Sequence, residues 1–495
     1  MKNIFAITFG TSDVQIDLTK LKLNGFEFSD TENTITHTET RISIKVRDNR
    51  FRGKELLEWP RIDGEVIYKN YKIFKEILKF PLTIPAIEMF LNEKKSNSID
   101  KWLLIYTNQD EKVDAKNRDN DTLYLKEIFK SKIKELYTET SDNQFEEFQI
   151  IDHVIDIDKL YRDFEKQCKS ILGLPYKEIK QIILLAQGGI DQINQAITLN
   201  LIQAFPFKLK QYQKAENQLP KKLNFPDYFL QDLNKQKIKK LLNVYEFGAI
   251  EKDMLPDKAI YHLAQYAFKR LNLLYNVLNI NTQVLINQCN YSKSSEIIVI
   301  PDNESDKLKD QFFSAKIYFT QKKYCDYLWR LFSINENFYR VLLDLKYGDS
   351  KKYYNQQNEN KRSINNEWVY YLLNINKSLK TYLLKRQIYL NNPNRRAYKA
   401  IIEFLLAENN NDFYLDSSKI KYFSKIQDKM EEASDLRNLC AHKLGAVELI
   451  DINKSLGPNF TAYNLNNELD NFFEISPHKP FGIYDDIKKD ILDLL

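Results

Sequence analysis

Three short runs of uninterrupted apolar residues, each closing on small or polar ones, constrain this 495-residue chain more than any other feature. Ile4-Phe5-Ala6-Ile7-Thr8-Phe9 ends in Gly10-Thr11-Ser12-Asp13. Trp102-Leu103-Leu104-Ile105-Tyr106 ends in Thr107-Asn108-Gln109. Ile182-Ile183-Leu184-Leu185-Ala186 ends in Gln187-Gly188-Gly189. A strand that is apolar on both faces must be covered on both faces, as parallel strands are inside a layered α/β domain. Helical periodicity intervenes over 122–136 and 192–204. Arg41 to Val46 alternates Ile42, Ile44 and Val46, and reads as an edge strand or hairpin. The first two hundred residues therefore predict an α/β domain.

Open parallel sheets bind ligands beyond the carboxyl ends of their strands, at a switch in strand order. Side by side, the three run ends make a polar pocket with backbone donors and no pair of catalytic carboxylates. Gly188-Gly189 lets the backbone approach a phosphate closely, and a helix starting near Asp191 points its N-terminus at it. The candidate ligand-binding residues are Gly10, Thr11, Ser12, Asp13, Thr107, Asn108, Gln109, Gly188, Gly189, Asp191, Gln192 and Asn194. Any one of these turns, alone, is an ordinary β–α connection. The three together favour a binding site.

The second half reads as mostly helical. Helices are expected over 261–278, 311–345, 366–386 and 396–407, and from Ile420 to about His442. Scarce Gly (12) and Pro (13) fit long helices joined by short turns. Residues 205–240, rich in Lys, Gln, Asn and Pro, read as a linker or exposed excursion. Residues 292–303, containing Ile297 to Ile300, read as a strand or buried turn, and the Asn-rich stretches 353–366 and 408–412 as loops. The expected division is 1–205, 206–308 for a linker and connecting helical region, and 309–495.

Lys and Arg number 73 against 68 Asp and Glu, a net charge of +5, so attraction for nucleic acid has to come from local clusters. Lys208-Leu209-Lys210, Lys221-Lys222 and the run Lys235 to Lys240 are candidates, although a solvated lysine-rich surface accounts for each by itself. The four cysteines, Cys168, Cys289, Cys325 and Cys440, form no CxxC, which argues against a zinc knuckle or a redox motif. No signal peptide and no membrane-spanning run are apparent, so a reduced, cytoplasmic protein is expected.

Arg437-Asn438-Leu439-Cys440-Ala441-His442 carries the most chemistry. Histidine moves protons near neutral pH, and a guanidinium braces a crowded phosphate. Together these groups can break RNA without a metal. Ile426, Met430, Ala433, Leu436 and Cys440 follow the spacing of a buried helical face. Asn438 and His442 share another face, and on an ideal helix Arg437 lies about 140° round from His442. A single regular helix thus does not aim all three groups at one point. An irregular backbone, a reaching arginine or a facing copy from a second subunit would.

In these segments the chain resembles the CARF–HEPN ribonucleases, the accessory effectors of type III CRISPR systems (the Csm/Csx family). The resemblance rests on Gly10-Thr11-Ser12-Asp13, on Thr107-Asn108-Gln109 with Asp121-Thr122 following, on Gly188-Gly189-Ile190-Asp191-Gln192-Ile193-Asn194, and on Arg437-Asn438-x3-His442. It implies a Rossmann-like CARF sensor for cyclic oligoadenylate, of tetra- or hexa-adenylate size, ahead of an all-α HEPN domain. It also implies a homodimer whose facing HEPN domains form one cleft that cuts single-stranded RNA without a metal or other cofactor. Arg437, Asn438 and His442 would be the catalytic residues. Some members of the family destroy their own activator, and Thr11 and Thr107 offer hydroxyls for that or for binding alone. The competing reading is a non-enzymatic cyclic-nucleotide sensor that uses its HEPN domain only to dimerise. A dinucleotide enzyme is disfavoured, since no GxGxxG follows the first strand.

Overall fold

The computed structural model describes residues 1–17, 19–20, 36–37, 42–43, 56–94, 97–172, 175–214, 218–289, 301, 303–347, 376–388, 394–408, 413–442 and 446–495. These form two compact units, Met1–Leu233 and Asn234–Leu495.

The first unit is built on a six-stranded sheet: β1 (Lys2–Thr8), β2 (Lys101–Thr107), β3 (Phe145–Ile150), β4 (Ile179–Leu185), β5 (Leu209–Gln213) and β6 (Lys221–Leu223). Their spatial order is β6-β5-β4-β1-β2-β3, parallel except for the antiparallel β6. Strand order therefore runs outward from β1 to β3 and restarts on the other side of β1 with β4. That reversal defines the doubly wound Rossmann-like topology.

The apolar runs behave as double-sided strands. Phe5, Ile7, Trp102, Leu104 and Ile183 face one core, beneath α1 (Pro60–Lys69), α2 (Thr83–Glu93) and α3 (Leu123–Leu136). Ile4, Ala6, Leu103, Ile105, Ile182 and Leu184 face the other, beneath α4 (Ile157–Leu172) and α5 (Asp191–Ala204). Burying a Leu, Ile or Phe side chain stabilises by roughly 1.5–3 kcal/mol, so each central strand is fixed from both sides.

Residues 205–240, expected as a linker, instead hold β5, β6 and the start of α6 (Phe225–Asn243). In β5 only Leu209 and Tyr212 are buried, while Lys210 and Gln211 are half-buried and Gln213 is exposed. With β6 exposed at the sheet edge and β5, next to it, carrying polar residues between its buried ones, the segment has the composition of a linker. The alternating segment near Arg41 contributes a two-residue pairing, Thr36–His37 against Ile42–Ser43, and its other residues lie outside those described.

The second unit is helical throughout its described residues. Its elements are α7 (Lys258–Leu271), α8 (Leu278–Cys289), α9 (Glu304–Thr320), α10 (Tyr324–Tyr347), α11 (Lys377–Lys385), α12 (Arg395–Ala407), α13 (Ser417–Glu432), α14 (Ser434–His442), α15 (Leu449–Leu456), α16 (Ala462–Phe472) and α17 (Ile483–Leu494). One hydrophobic core runs from Ile238 on α6 to Ile491 on α17. Within it Arg270 donates from Nε to both oxygens of Asp310 at 3.0 Å, and Tyr275 donates to the same carboxylate at 3.0 Å.

Two helices expected to be continuous are broken. The 311–345 stretch divides at Gln321–Lys323, where Lys322 takes φ +60°, a left-handed turn that no Gly or Pro announces. The 420–442 stretch divides at Ala433, which caps α13 before α14 restarts. Residues 353–366 and 409–412, and most of 292–303, lie outside the described residues.

Candidate functional sites in the two units

The three polar run ends do lie side by side, because β1 sits between β4 and β2. Ile7 pairs with Leu185 and Thr8 with Ile105. Gly10 and Gly188 meet across the switch point. A Cβ on Gly10 would stand 1.1 Å from the Gly188 carbonyl oxygen. A Cβ on Gly188 would stand 1.7 Å from Oδ2 of Asp13. Only two glycines permit this approach, so here they serve chain-to-chain packing. Gly189 is looser, with a Cβ meeting Asn194 and Thr8 at 3.3 Å.

Polar side chains then lock the turns. Asp13 accepts from the Gly10 N–H at 2.7 Å through Oδ2, while its buried Oδ1 has no hydrogen-bond partner. Thr8 donates to Oδ1 of Asn194 at 2.5 Å, and Nδ2 of Asn194 donates to the Gly189 carbonyl at 3.2 Å. Thr107 and Thr122 bond reciprocally, each backbone N–H donating to the other's hydroxyl oxygen at 3.0 and 3.1 Å. Gln109 donates from its backbone N–H and its Nε2 to Asp121, at 2.7 and 2.9 Å, and Arg61 donates to the same carboxylate at 2.9 Å.

The candidate residues therefore sort by depth. Gly10, Asp13, Thr107 and Gln109 are buried and hold the loops. Thr11, Ser12, Asn108, Gly188, Gly189, Gln192 and Asn194 are half-buried, and Asp191, in the first turn of α5, is exposed. Arg61 and Asp121 escaped sequence reasoning as a pair, since nothing local connects positions sixty residues apart (121 − 61 = 60).

Burial pushes the Asp13 carboxyl up to about 7, with the Gly10 N–H partly opposing. Its folded-state value thus exceeds its unfolded one. As pH rises from about 4, the unfolded carboxyl ionises first, and stability falls until the folded carboxyl ionises near 7. Asp13→Asn removes that penalty and keeps an acceptor for Gly10. The variant is expected to be stabler than the parent at pH 8, by roughly 2–4 kcal/mol, and equal to it near pH 4. Denaturant melts at the two pH values check this; equal stability at pH 8 refutes it.

In the second unit the Arg-Asn motif lies on α14. Arg437 donates from Nη1 to Oδ1 of Asn438 at 3.1 Å and from Nη2 to Glu336 of α10. Its guanidinium carbon stands 5.7 Å from the ring centre of Trp329 and 5.5 Å from that of Phe332. Its Nε is buried without a partner. The arginine thus reaches around α14 to its neighbour Asn438, which is exposed. His442 is the last residue of α14, and its side chain lies outside the described atoms.

A second polar group adjoins this one. Glu431 of α13 receives hydrogen bonds from Arg395 of α12 and, at 2.6 Å, from the buried Asn335 of α10. Burial lowers the Arg395 guanidinium, with Glu336 opposing and the like charge of Arg437 adding a smaller push in the same direction as burial; an arginine remains charged through such shifts. Glu336, Asn335, Arg395 and Glu431 are separated in sequence by up to a hundred residues (431 − 335 = 96) and have no motif of their own.

The folds define the class: a doubly wound α/β unit followed by a helical unit that carries Arg437 and Asn438 on a short helix. Over its whole length the chain shares the fold of Enterococcus italicus Csm6 bound to cyclic hexa-2'-fluoro-hexa-dAMP, with a TM-score of 0.55, 13% identity and 100% of both chains covered. No protein-family model and no curated protein matches the sequence. The fold that the resemblance implied, a Rossmann-like domain ahead of a helical one, is the fold found among the described residues. Among the described residues no helix is long and apolar enough to cross a membrane, and no group of three or more His, Cys, Asp or Glu is placed to hold a metal ion.

Proposed function

We propose that this chain is a cyclic-oligoadenylate-activated endoribonuclease of type III CRISPR antiviral defence, homodimeric, cutting single-stranded RNA without a metal. The observation that carries this reading is the full-length likeness to Csm6 bound to a cyclic hexa-adenylate analogue, in a chain with Arg437-Asn438 on α14 and His442 ending it. The activator would lie over the β4–β1–β2 ends, against Thr11, Ser12, Asn108, Gly188, Gly189 and Gln192, with Asp191 and Asn194 at the start of α5. A two-fold axis suits a ring of repeated adenylates.

In the helical unit the RNA 2'-oxygen attacks its own phosphate. His442 assists proton transfer. Arg437 stabilises the charge on the pentacoordinate phosphorus, and Asn438 holds the guanidinium to one side. Glu336 keeps Arg437 on the surface of α10 until phosphate competes for it. Trp329, half exposed beside the guanidinium, offers a face on which a base stacks. DNA lacks the 2'-hydroxyl and should survive.

The test is incubation of RNA with the protein in a chelator, with and without cyclic tetra- or hexa-adenylate. Cleavage that depends on one ring and leaves 2',3'-cyclic phosphate or 3'-phosphate ends is expected. No cleavage with either ring, or 3'-hydroxyl ends, overturns the reading. Chromatography of the ring, using Arg437→Ala protein, tests whether the sensor also opens its activator; Thr11 would then serve, because the Thr107 hydroxyl is engaged with Thr122.

A further inference from the structure

We propose that Cys325 and Cys440 are a redox site: hydrogen peroxide joins them in a disulfide that ties α14 to α10 and holds RNA cleavage down until a thiol reductant reopens it. The effect on cleavage rests on the ribonuclease reading above; the cross-link itself does not.

The two sulfurs are already 2.7 Å apart, with the Cys440 S–H donating to Cys325. A disulfide is about 2.05 Å long, so joining them asks for only a fraction of an ångström. Both residues are half-buried, which admits a small oxidant. Their surroundings matter more. Cys325, Trp329, Phe332 and Glu336 recur at four, three and four residues along α10, a single helical stripe. Cys440 meets the first of these, and Arg437, one turn earlier on α14, meets the other three. The sulfurs therefore close one end of a seam whose other end holds Arg437 on Glu336. His442 lies two residues beyond Cys440.

Burial, and after it the neighbouring Cys325 sulfur, pushes the Cys440 thiol up. Cys440 thus keeps its proton and donates it toward Cys325, which makes Cys325 the attacking sulfur. The Cys325 sulfur gives up its proton and takes one oxygen from hydrogen peroxide as the O–O bond breaks, giving a sulfenic acid; the departing hydroxide takes that proton and leaves as water. The Cys440 sulfur then attacks the sulfenic sulfur, the S–O bond breaks, and the departing hydroxide carries off the Cys440 proton as a second water. Two thiols and one peroxide become one disulfide and two waters. A bond here fixes the seam with Arg437 on Glu336, where the guanidinium is neutralised and cannot turn to phosphate.

The test treats the full-length protein with hydrogen peroxide and maps its peptides without reduction. A Cys325–Cys440 peptide pair is expected, absent from Cys325→Ser, and removed by dithiothreitol. Activator-stimulated RNA cleavage should fall roughly tenfold on oxidation, recover on reduction, and not respond to peroxide in Cys325→Ser; Cys168→Ser and Cys289→Ser should behave as the parent. If peroxide leaves 325 and 440 unlinked while the protein stays folded, the site is wrong whatever the RNA assay shows. If they link and cleavage is unchanged, the control by oxidation is wrong. If the reduced protein never cuts RNA, the ribonuclease reading fails, and peptide mapping still decides the disulfide.

Discussion

Arg437→Ala is expected to lower activator-stimulated RNA cleavage by roughly 10²–10³-fold or more, the cost of removing one preorganised group that meets developing charge. Its effect on folding should be small. The ion pair it removes is with Glu336, whose side chain is half exposed, and exposed pairs of this sort contribute about 0–1 kcal/mol. Truncation also strips the guanidinium from the rings of Trp329 and Phe332. That loss falls on a seam already closed by the Cys325 and Cys440 sulfurs. The variant should therefore keep its oligomeric state by light scattering, its melting temperature within a few degrees, and its affinity for the cyclic activator by calorimetry. His442→Ala is expected to match it in activity. Full cleavage by a folded Arg437→Ala protein would remove the reason for placing an RNA site on α14.

The other large effect belongs to the first unit. In Gly188→Ala the new methyl would fall 1.7 Å from Oδ2 of Asp13 and 2.9 Å from the Gly10 nitrogen. Those two atoms share the hydrogen bond that shapes the first turn. The methyl cannot enter without separating the β1 and β4 ends, so a destabilisation of about 1–3 kcal/mol and at least a tenfold loss of activator affinity are expected. Gly189→Ala should be milder, because its methyl meets only Asn194 and Thr8, at 3.3 Å. Activator-independent RNA cleavage at high protein concentration should survive both changes, since α14 lies in the other unit. Calorimetry on a folded Gly188→Ala protein with unchanged affinity would move the activator site away from the switch point.

The centre of the first unit was legible because its strands are apolar on both faces. Such strands leave continuous apolar runs that close on small or polar residues. The rim was not. Strand β3 reads Phe-Glu-Glu-Phe-Gln-Ile, buried at every ladder position except Glu146, Glu147 and Gln149, and its polar residues hide it between two helices. Strand β5 was hidden in the same way by Lys210 and Gln211. At the strand ends the turns were recognisable, yet which hydroxyls face outward was not: Thr107 looks like Thr11 in sequence, and only the reciprocal bond with Thr122 buries it. In the helical unit the Arg-Asn pair was visible as a motif. Its companions were not, because Glu336 and Cys325 lie 101 and 115 residues from their partners. A spacing rule such as CxxC sees only neighbours along the chain.

The close meeting of Gly10 and Gly188 also sets a time. The two halves of the crevice are made 178 residues apart (188 − 10 = 178), with β2 and β3 laid down between them. At about 5–20 residues per second of synthesis, the first turn waits roughly ten to forty seconds for its counterpart. Until β4 arrives, β1 has an open side where the second wall belongs. If the first unit binds the cyclic activator as proposed, a growing chain is thus deaf to it, and can hear it only when nearly all of that unit has left the ribosome.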